Sequence, residues 1–250
     1  MFMRFVDLHI DPGSAAAFVR FYEHRIGPVL RQVEGCQFAT LIHSTDSDAE
    51  FMSFTLWKSA EHAAAYEQSG AYKSLLAENE PFEAQSTEWK IQLTEDNTLE
   101  YKPVREDPVV QAMPIIAGSA EEQAPTSLSS DKYVRILHAS VQPGKFEALS
   151  KVYDEEIVPM LLEQDGCRGA YLIGNEESDD GLSVTIWDSQ DQARAYEDSG
   201  MYAILLDKAA PLLSSMYQWK MTLSPDQRDH IRTSEDVTVR GFTVVTGKHV

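Results

Sequence analysis

Three side chains stand where acid–base chemistry could arise. Asp7 and His9 lie two apart in Arg-Phe-Val-Asp-Leu-His-Ile, residues 4–10, so they share one face of a strand. A carboxylate beside an imidazole orients it and raises its basicity. His138 falls on the same face of a similar run later in the chain. The competing reading makes these three the polar part of an interface between β-surfaces, bonded to one another or to Lys90 and Lys220. There is no His-x-His, Cys-x-x-Cys or His-Glu-x-x-His, so no metal site is expected. Nor is there a nucleophile elbow, a P-loop or a dinucleotide fingerprint. The two cysteines, Cys36 and Cys167, each follow a glycine and read as small buried fillers.

The histidines make sense only once the chain is seen as a duplication. With a shift of 131, residues 4–43 match 135–174 at 13 of 40 positions. One residue is then lost in a loop, and residues 50–93 match 180–223 at 17 of 44 positions. Thirty matches in 84, with one single-residue gap, are too many for chance. No histidine occurs in both halves. A His-dependent mechanism can therefore operate in one half only, or in neither. The tyrosines behave differently: Tyr22/Tyr153, Tyr66/Tyr196 and Tyr72/Tyr202 recur, as do Trp57 and Trp187. On an inward helix face such tyrosines are core or line a ligand cavity. A strand-end tryptophan is foremost a packing residue.

The elements that must hold these residues follow from periodicity. Residues 4–10 alternate, with Val6, Leu8 and Ile10 opposite Phe5, Asp7 and His9, which is a strand. After Pro12-Gly13, Phe18, Tyr22, Ile26, Leu30 and Val33 recur at helical spacing. Pro28 should break or kink that helix. Short β-prone runs follow at 38–43 and 51–57, and at 170–173 in the second half. Ser59 then starts a helix carrying Ala63 and Tyr66 that falters at Gly70 and ends at Pro81. In the second half Ser189 and Gln192 form a capping-box pattern. Trp89–Leu93 reads as a fourth strand, and later β-prone runs cover 109–117 and 237–246.

The fold class is therefore α+β, with two tandem ferredoxin-like (β-α-β-β-α-β) units. The units span 1–118 and 132–250, joined by a small, polar linker at 119–131. Helices cover one face of each sheet. The other face is expected to carry Phe5, Asp7, His9, Ser53, Thr55 and Trp57, and in the second half Ile136, His138, Ser140, Ser183, Thr185 and Trp187. A half-apolar face needs a partner. The simplest is the other unit, giving antiparallel sheets packed face to face as a pseudo-dimer within the chain, with the late strands crossing to the neighbouring sheet. A homodimer of whole chains is the alternative.

Composition excludes several partners. Lys and Arg number 21 and Asp and Glu 40, a net charge of −19. Such a surface repels phosphate backbones and anionic lipid, so neither nucleic acid nor membrane is expected as a partner. The N-terminus lacks the parts of a signal peptide, and two cysteines make no disulfide framework, so a cytoplasmic location is expected.

The runs Phe-Thr-Leu-Trp57-Lys-Ser-Ala-Glu-His-Ala-Ala-Ala-Tyr66-Glu-Gln-Ser69 and Val-Thr-Ile-Trp187-Asp-Ser-Gln-Asp-Gln-Ala-Arg-Ala-Tyr196-Glu-Asp-Ser199 resemble the signature of the antibiotic biosynthesis monooxygenase family. Glu-Gly-Cys36 and Asp-Gly-Cys167 fit that family's turn into its second strand. The resemblance implies a dimeric α+β barrel with pockets between the helices and the sheet of each unit. It implies oxygenation of a small aromatic or polyketide-like substrate by O2, with no cofactor, metal or flavin: a base makes a substrate anion that reduces O2 directly. The residues set against the substrate are Asp7, His9, Tyr22, Trp57, Tyr66, His138, Tyr153, Trp187 and Tyr196. The haem-degrading branch has an Asn, a Trp and a His where this chain has Val6-Asp7 and Leu137-His138, Tyr66 and Tyr196, and Leu76 and Leu206. That chemistry is disfavoured. A non-catalytic or stress-related small-molecule binding protein on the same scaffold is the second hypothesis, and at most one pocket is expected to keep chemistry.

Overall fold

A computed structural model describes residues 1–84, 89–93, 99–103, 108–119, 128, 131–175 and 179–246. The linker expected at 119–131 lies mostly outside these, but Leu128 is described and joins the core. In the first half, β1 (Phe2–His9) leads to a helix in three parts. These are α1 (Ala15–Phe21), a π turn (Tyr22–Ile26) and α2 (Gly27–Gln32). Then come β2 (Cys36–Ser44), β3 (Glu50–Trp57), α3 (Ala60–Gln68), α4 (Ala71–Asn79), β4 (Trp89–Leu93), β5 (Leu99–Pro103) and β6 (Val110–Gly118). The second half runs β7 (Tyr133–Ser140), α5 (Phe146–Val152), a π turn (Tyr153–Ile157), α6 (Val158–Leu162), β8 (Cys167–Asn175) and β9 (Asp180–Trp187). It continues with α7 (Gln190–Asp198), α8 (Met201–Ala209), α9 (Ser215–Met221), α10 (Pro225–His230) and β10 (Thr238–Val244). Among the described residues, no helix is long and apolar enough to cross a membrane.

The tandem ferredoxin-like units form one closed barrel in the order β1-β3-β2-β10-β7-β9-β8-β6. Each late strand has two neighbours. The strand β6 pairs with β1 of its own half and β8 of the other, and β10 pairs with β7 and β2. These strands are the fourth members of the two sheets, a place the sequence reading gave to Trp89–Leu93. That run does form β4, but it pairs with β5 in a separate hairpin. In the second half the corresponding stretch is α9, because Ser214, where the first half has Ala84, caps it: the Ser214 hydroxyl accepts from the Tyr217 N–H at 3.1 Å.

The barrel interior is apolar, and this corrects which face two strands present. Phe5 pairs in register with Phe54, and Asp7 with Met52, so residues 52, 54 and 56 share the inner face with Phe5. Met52, Phe54 and Leu56, with Leu182, Val184 and Ile186, fill the barrel. Ser53, Thr55 and Trp57, and Ser183, Thr185 and Trp187, therefore face the helices and not the opposite sheet. Both faces of this sheet are covered, and the larger apolar set belongs to the deeper layer.

Pro28 does not break its helix. The π turn ahead of it, closed by the Gly27 N–H on the Tyr22 carbonyl, absorbs the proline without ending the helix. The second half repeats this with Val158, Tyr153 and Pro159. Gly70 and Gly200 sit at φ of +79° and +80°, the left-handed conformation that lets α3 turn into α4 and α7 into α8.

Candidate functional site

Each half carries a cavity between the helices and the outer face of its sheet, built from equivalent residues. Arg4 and Arg135 come from the first strands, Tyr22 and Tyr153 from the π turns, and Ser53, Thr55, Ser183 and Thr185 from the third strands. Tyr66 and Tyr72, with Tyr196 and Tyr202, come from the helix pairs. The first cavity measures about 40 Å³ and the second about 70 Å³. The second is roomier because Ala139, Leu149, Gly181 and Ala209 stand where the first half has Leu8, Phe18, Phe51 and Asn79. A larger concavity, about 400 Å³, is an open surface cleft at Lys220, Pro225 and Arg228 that none of the sequence-predicted site residues lines.

The polar frame is the same twice. The Ser53 hydroxyl donates to the Tyr22 oxygen at 2.8 Å, and that phenol donates to the Thr40 carbonyl at 3.0 Å. Tyr153 and Ser183 share a bond of 2.8 Å. Burial pushes both phenols above their ordinary pKa, and the serine bonds only oppose it, so both stay protonated at neutral pH. Tyr66, Tyr196 and Tyr202 are raised for the same reason, burial first. Trp57 and Trp187 lie behind the cavities. Each indole N–H donates to the threonine two residues back, at 2.8 and 2.9 Å, and each ring packs on Tyr66 or Tyr196. The Thr55 and Thr185 hydroxyls in turn donate to the carbonyls of Arg4 and Arg135, at 3.1 and 3.5 Å.

The arginines carry the charge of the cavities. Arg4 is 2% exposed and Arg135 3%. Their Nε atoms donate to Glu67 at 2.9 Å and Glu197 at 2.7 Å, and the guanidinium carbons lie 4.4 and 4.6 Å from the Tyr72 and Tyr202 ring centres. In both, Nη2 is buried with no hydrogen-bond partner. Leaving a charged donor so costs about 1–3 kcal/mol or more. In the first cavity Asn79 Oδ1 is likewise buried without a partner.

Of the residues singled out from sequence, Tyr22, Tyr66, Tyr153 and Tyr196 line the cavities, and Trp57 and Trp187 support them. Asp7, His9 and His138 line neither. Asp7 is bound by Arg240 of β10 at 3.1 Å, His9 is exposed, and His138 meets Asp180 at 3.2 Å. Burial raises the Cys36 and Cys167 thiols to about 11, which keeps them protonated. Among the described residues no three His, Cys, Asp or Glu side chains converge as a metal site would require. The sequence reading missed the arginines. Their signal was there: a charge identical in both halves, in the same alternation as Val6, Leu8 and Ile10.

The sequence profile of the antibiotic biosynthesis monooxygenase family matches residues 1–78 and 133–203, once in each half. Three solved structures are similar over nearly their full length. A candidate monooxygenase from Lactobacillus acidophilus NCFM has a TM-score of 0.62 at 7% identity, covering 98% of this chain and 94% of that one. A candidate monooxygenase from Fusobacterium nucleatum subsp. nucleatum has 0.60 at 8% identity, covering 99% and 93%. An anthrone oxidase-like protein has 0.59 at 11% identity, covering 99% and 92%. At such identities the likeness establishes the fold. No curated protein matches the chain in sequence.

Proposed function

We propose, from the premise that the chain belongs to the antibiotic biosynthesis monooxygenase family, that its second half oxygenates a small aromatic molecule with O2 and no bound cofactor. The observation that carries this is the second cavity: apolar walls over a floor of Tyr153, Ser183 and Thr185, with a buried cation at one side. The walls exclude water and hold O2 beside an apolar ring. The Tyr153–Ser183 pair uses one of its two hydroxyl protons on itself and leaves the other to donate to an oxygen on the substrate. In the reaction a ring CH2 flanked by activating groups loses a proton, and its carbanion passes one electron to O2. The radical pair joins as a peroxide anion, which takes a proton back from water to become a hydroperoxide and then loses water to leave C=O; one oxygen atom enters product and the other leaves as water. No Asp, Glu or His lines the cavity, so the proton leaves to water at the cavity's half-buried edge as the anion forms.

The cavity is about half the ~150 Å³ that admits benzene. A ring therefore binds only as the wall opens, and the half-buried lining residues are Leu137, Ser183, Tyr202 and Leu206. The first cavity is smaller, with Phe18 and Phe51 packed together where the second half has Leu149 and Gly181 in its cavity wall, and this favours a packing role for that half. The test is oxygen uptake with a panel of hydroquinones and anthrones, with product oxygen traced from labelled O2. Uptake lost on filling the second cavity supports the reading, and no uptake with any member of the panel overturns it.

A further inference from the structure

We propose that the second cavity selects an anion: a small aromatic ligand carrying one ionised oxygen, as phenolate, enolate or carboxylate, binds with that oxygen on Nη2 of Arg135. The inference rests on the reading of this cavity as the substrate site and names the chemical class that site takes. Four observations carry it.

Arg135 lines the cavity, is almost wholly buried, and has an Nη2 with no partner. A buried guanidinium with an open donor position is a bond waiting for an acceptor. Its carboxylate partner does not cancel it. Glu197 takes only Nε, and its side chain is 39% exposed against 4% for the arginine. Water screens the anion of the pair far more than the cation, so the field inside the cavity is positive. The other titratable groups facing Arg135 are Tyr133, Tyr196 and Tyr202, whose hydroxyl bonds to the guanidinium but leaves Nη2 open, and Tyr153 lies across the cavity; burial raises all four, so they are protonated near neutral pH. Finally, the first half keeps the same device, Arg4 with an unpartnered Nη2, although most aligned positions differ between the halves. The net charge of −19 opposes an anion's approach from outside, so preference for an anion must come from this buried group.

The chemistry follows directly. A phenol or activated CH2 whose oxygen rests on Nη2 ionises at lower pH, because its anion is paired while its neutral form is not. Arg135 thereby supplies what the cavity lacks in a base. It holds the electron-rich form of the substrate and leaves the proton to water.

Benzoate and benzamide separate charge from shape, and 4-nitrophenol reports its own ionisation by absorbance. The full chain should bind benzoate at least about tenfold more tightly than benzamide, and lower the pKa of bound 4-nitrophenol by about 1 to 3. Arg135→Met should erase both effects, Arg135→Lys should keep part of each, and Arg194→Met, an exposed charge on α7, should change neither. Glu197→Gln guards against misfolding of the methionine variant: it frees the guanidinium and should strengthen benzoate binding. Equal affinity for benzoate and benzamide in the parent protein, no binding of either, or a preference untouched by both Arg135→Met and Glu197→Gln would each overturn the proposal. Oxygen uptake is followed in the same samples. Uptake without anion preference removes this inference alone; anion preference without uptake removes the oxygenase reading alone.

Discussion

The two cavities share a polar frame and differ in what fills them. Arginine, tyrosine, serine, threonine and tryptophan recur in the same places, with the same bonds between tyrosine and serine and between tryptophan and threonine. The apolar filling has changed. In the first half Phe18, Phe21, Phe51 and Phe82 pack on one another at the end of the helix–sheet layer. In the second half these positions hold Leu149, Val152, Gly181 and Leu212. Phe146, which replaces Ala15, recovers part of the lost volume beside Gly174 and Gly181. The lesson is that space and polarity vary independently here. Polar groups tied into bonds resist change, because losing one partner strands the other. Apolar groups can be traded for volume at modest cost.

The most severe way to break the comparison is to remove the shared frame. Trp187→Ala should cost about 3–5 kcal/mol in denaturant unfolding, since the indole is fully buried, packs on Tyr196 and holds the Thr185 hydroxyl. Trp57→Ala should cost a similar amount if the frames are equivalent. Making the second cavity resemble the first is milder. Ala139→Leu with Leu149→Phe should cost about 1–3 kcal/mol by overpacking and abolish benzoate binding in calorimetry. Opening the first cavity with Phe18→Leu should cost about 1–2 kcal/mol and give that half detectable binding of benzamide by NMR line broadening.

The smallest effect concerns a contact found in the second half alone. Asp188 is bound by Arg168 and by Lys132 at 2.8 Å, and those bonds lower its carboxyl to about 2. The first half has Lys58, Gln37 and Met1 at the matching positions. The folded carboxyl ionises below its unfolded value of about 3.9, so its stabilisation is complete above that pH and lost as pH falls through about 2. After discounting for solvent, Asp188→Asn should cost about 1 kcal/mol at pH 7. The cost should fade on acidification, as read from urea midpoints between pH 5 and 2.

Much of this was legible in the chain itself. The duplication, the strand–helix order and the Ser189 cap, whose hydroxyl accepts from the Gln192 N–H at 3.3 Å, follow from spacing and local hydrogen-bond chemistry. What failed was the choice of face on the third strands. Alternation identifies a strand, but where helices cover one side and a barrel closes on the other, it does not say which set goes deeper. Ser53 and Thr55 look like surface residues until Tyr22 and Trp57 are seen bonding to them. The fourth strands were misplaced for a related reason. Trp89–Leu93 has β-propensity, but pairing partners decide what a strand joins, and those lie far along the chain. Arg4 and Arg135 stand at matching positions of the two halves, but a charge at the start of an apolar alternation reads as the strand's edge rather than as part of a site.

Because each late strand serves as both the margin of its own sheet and the seam to the other, neither half can leave without exposing unpaired backbone on both sides. The pairing is one to one and lies within a single chain. A twofold assembly of identical chains would stamp every mutation onto both pockets at once. This fused ring has no such obligation, so one hollow can be stopped up with aromatic rings while its twin is kept open.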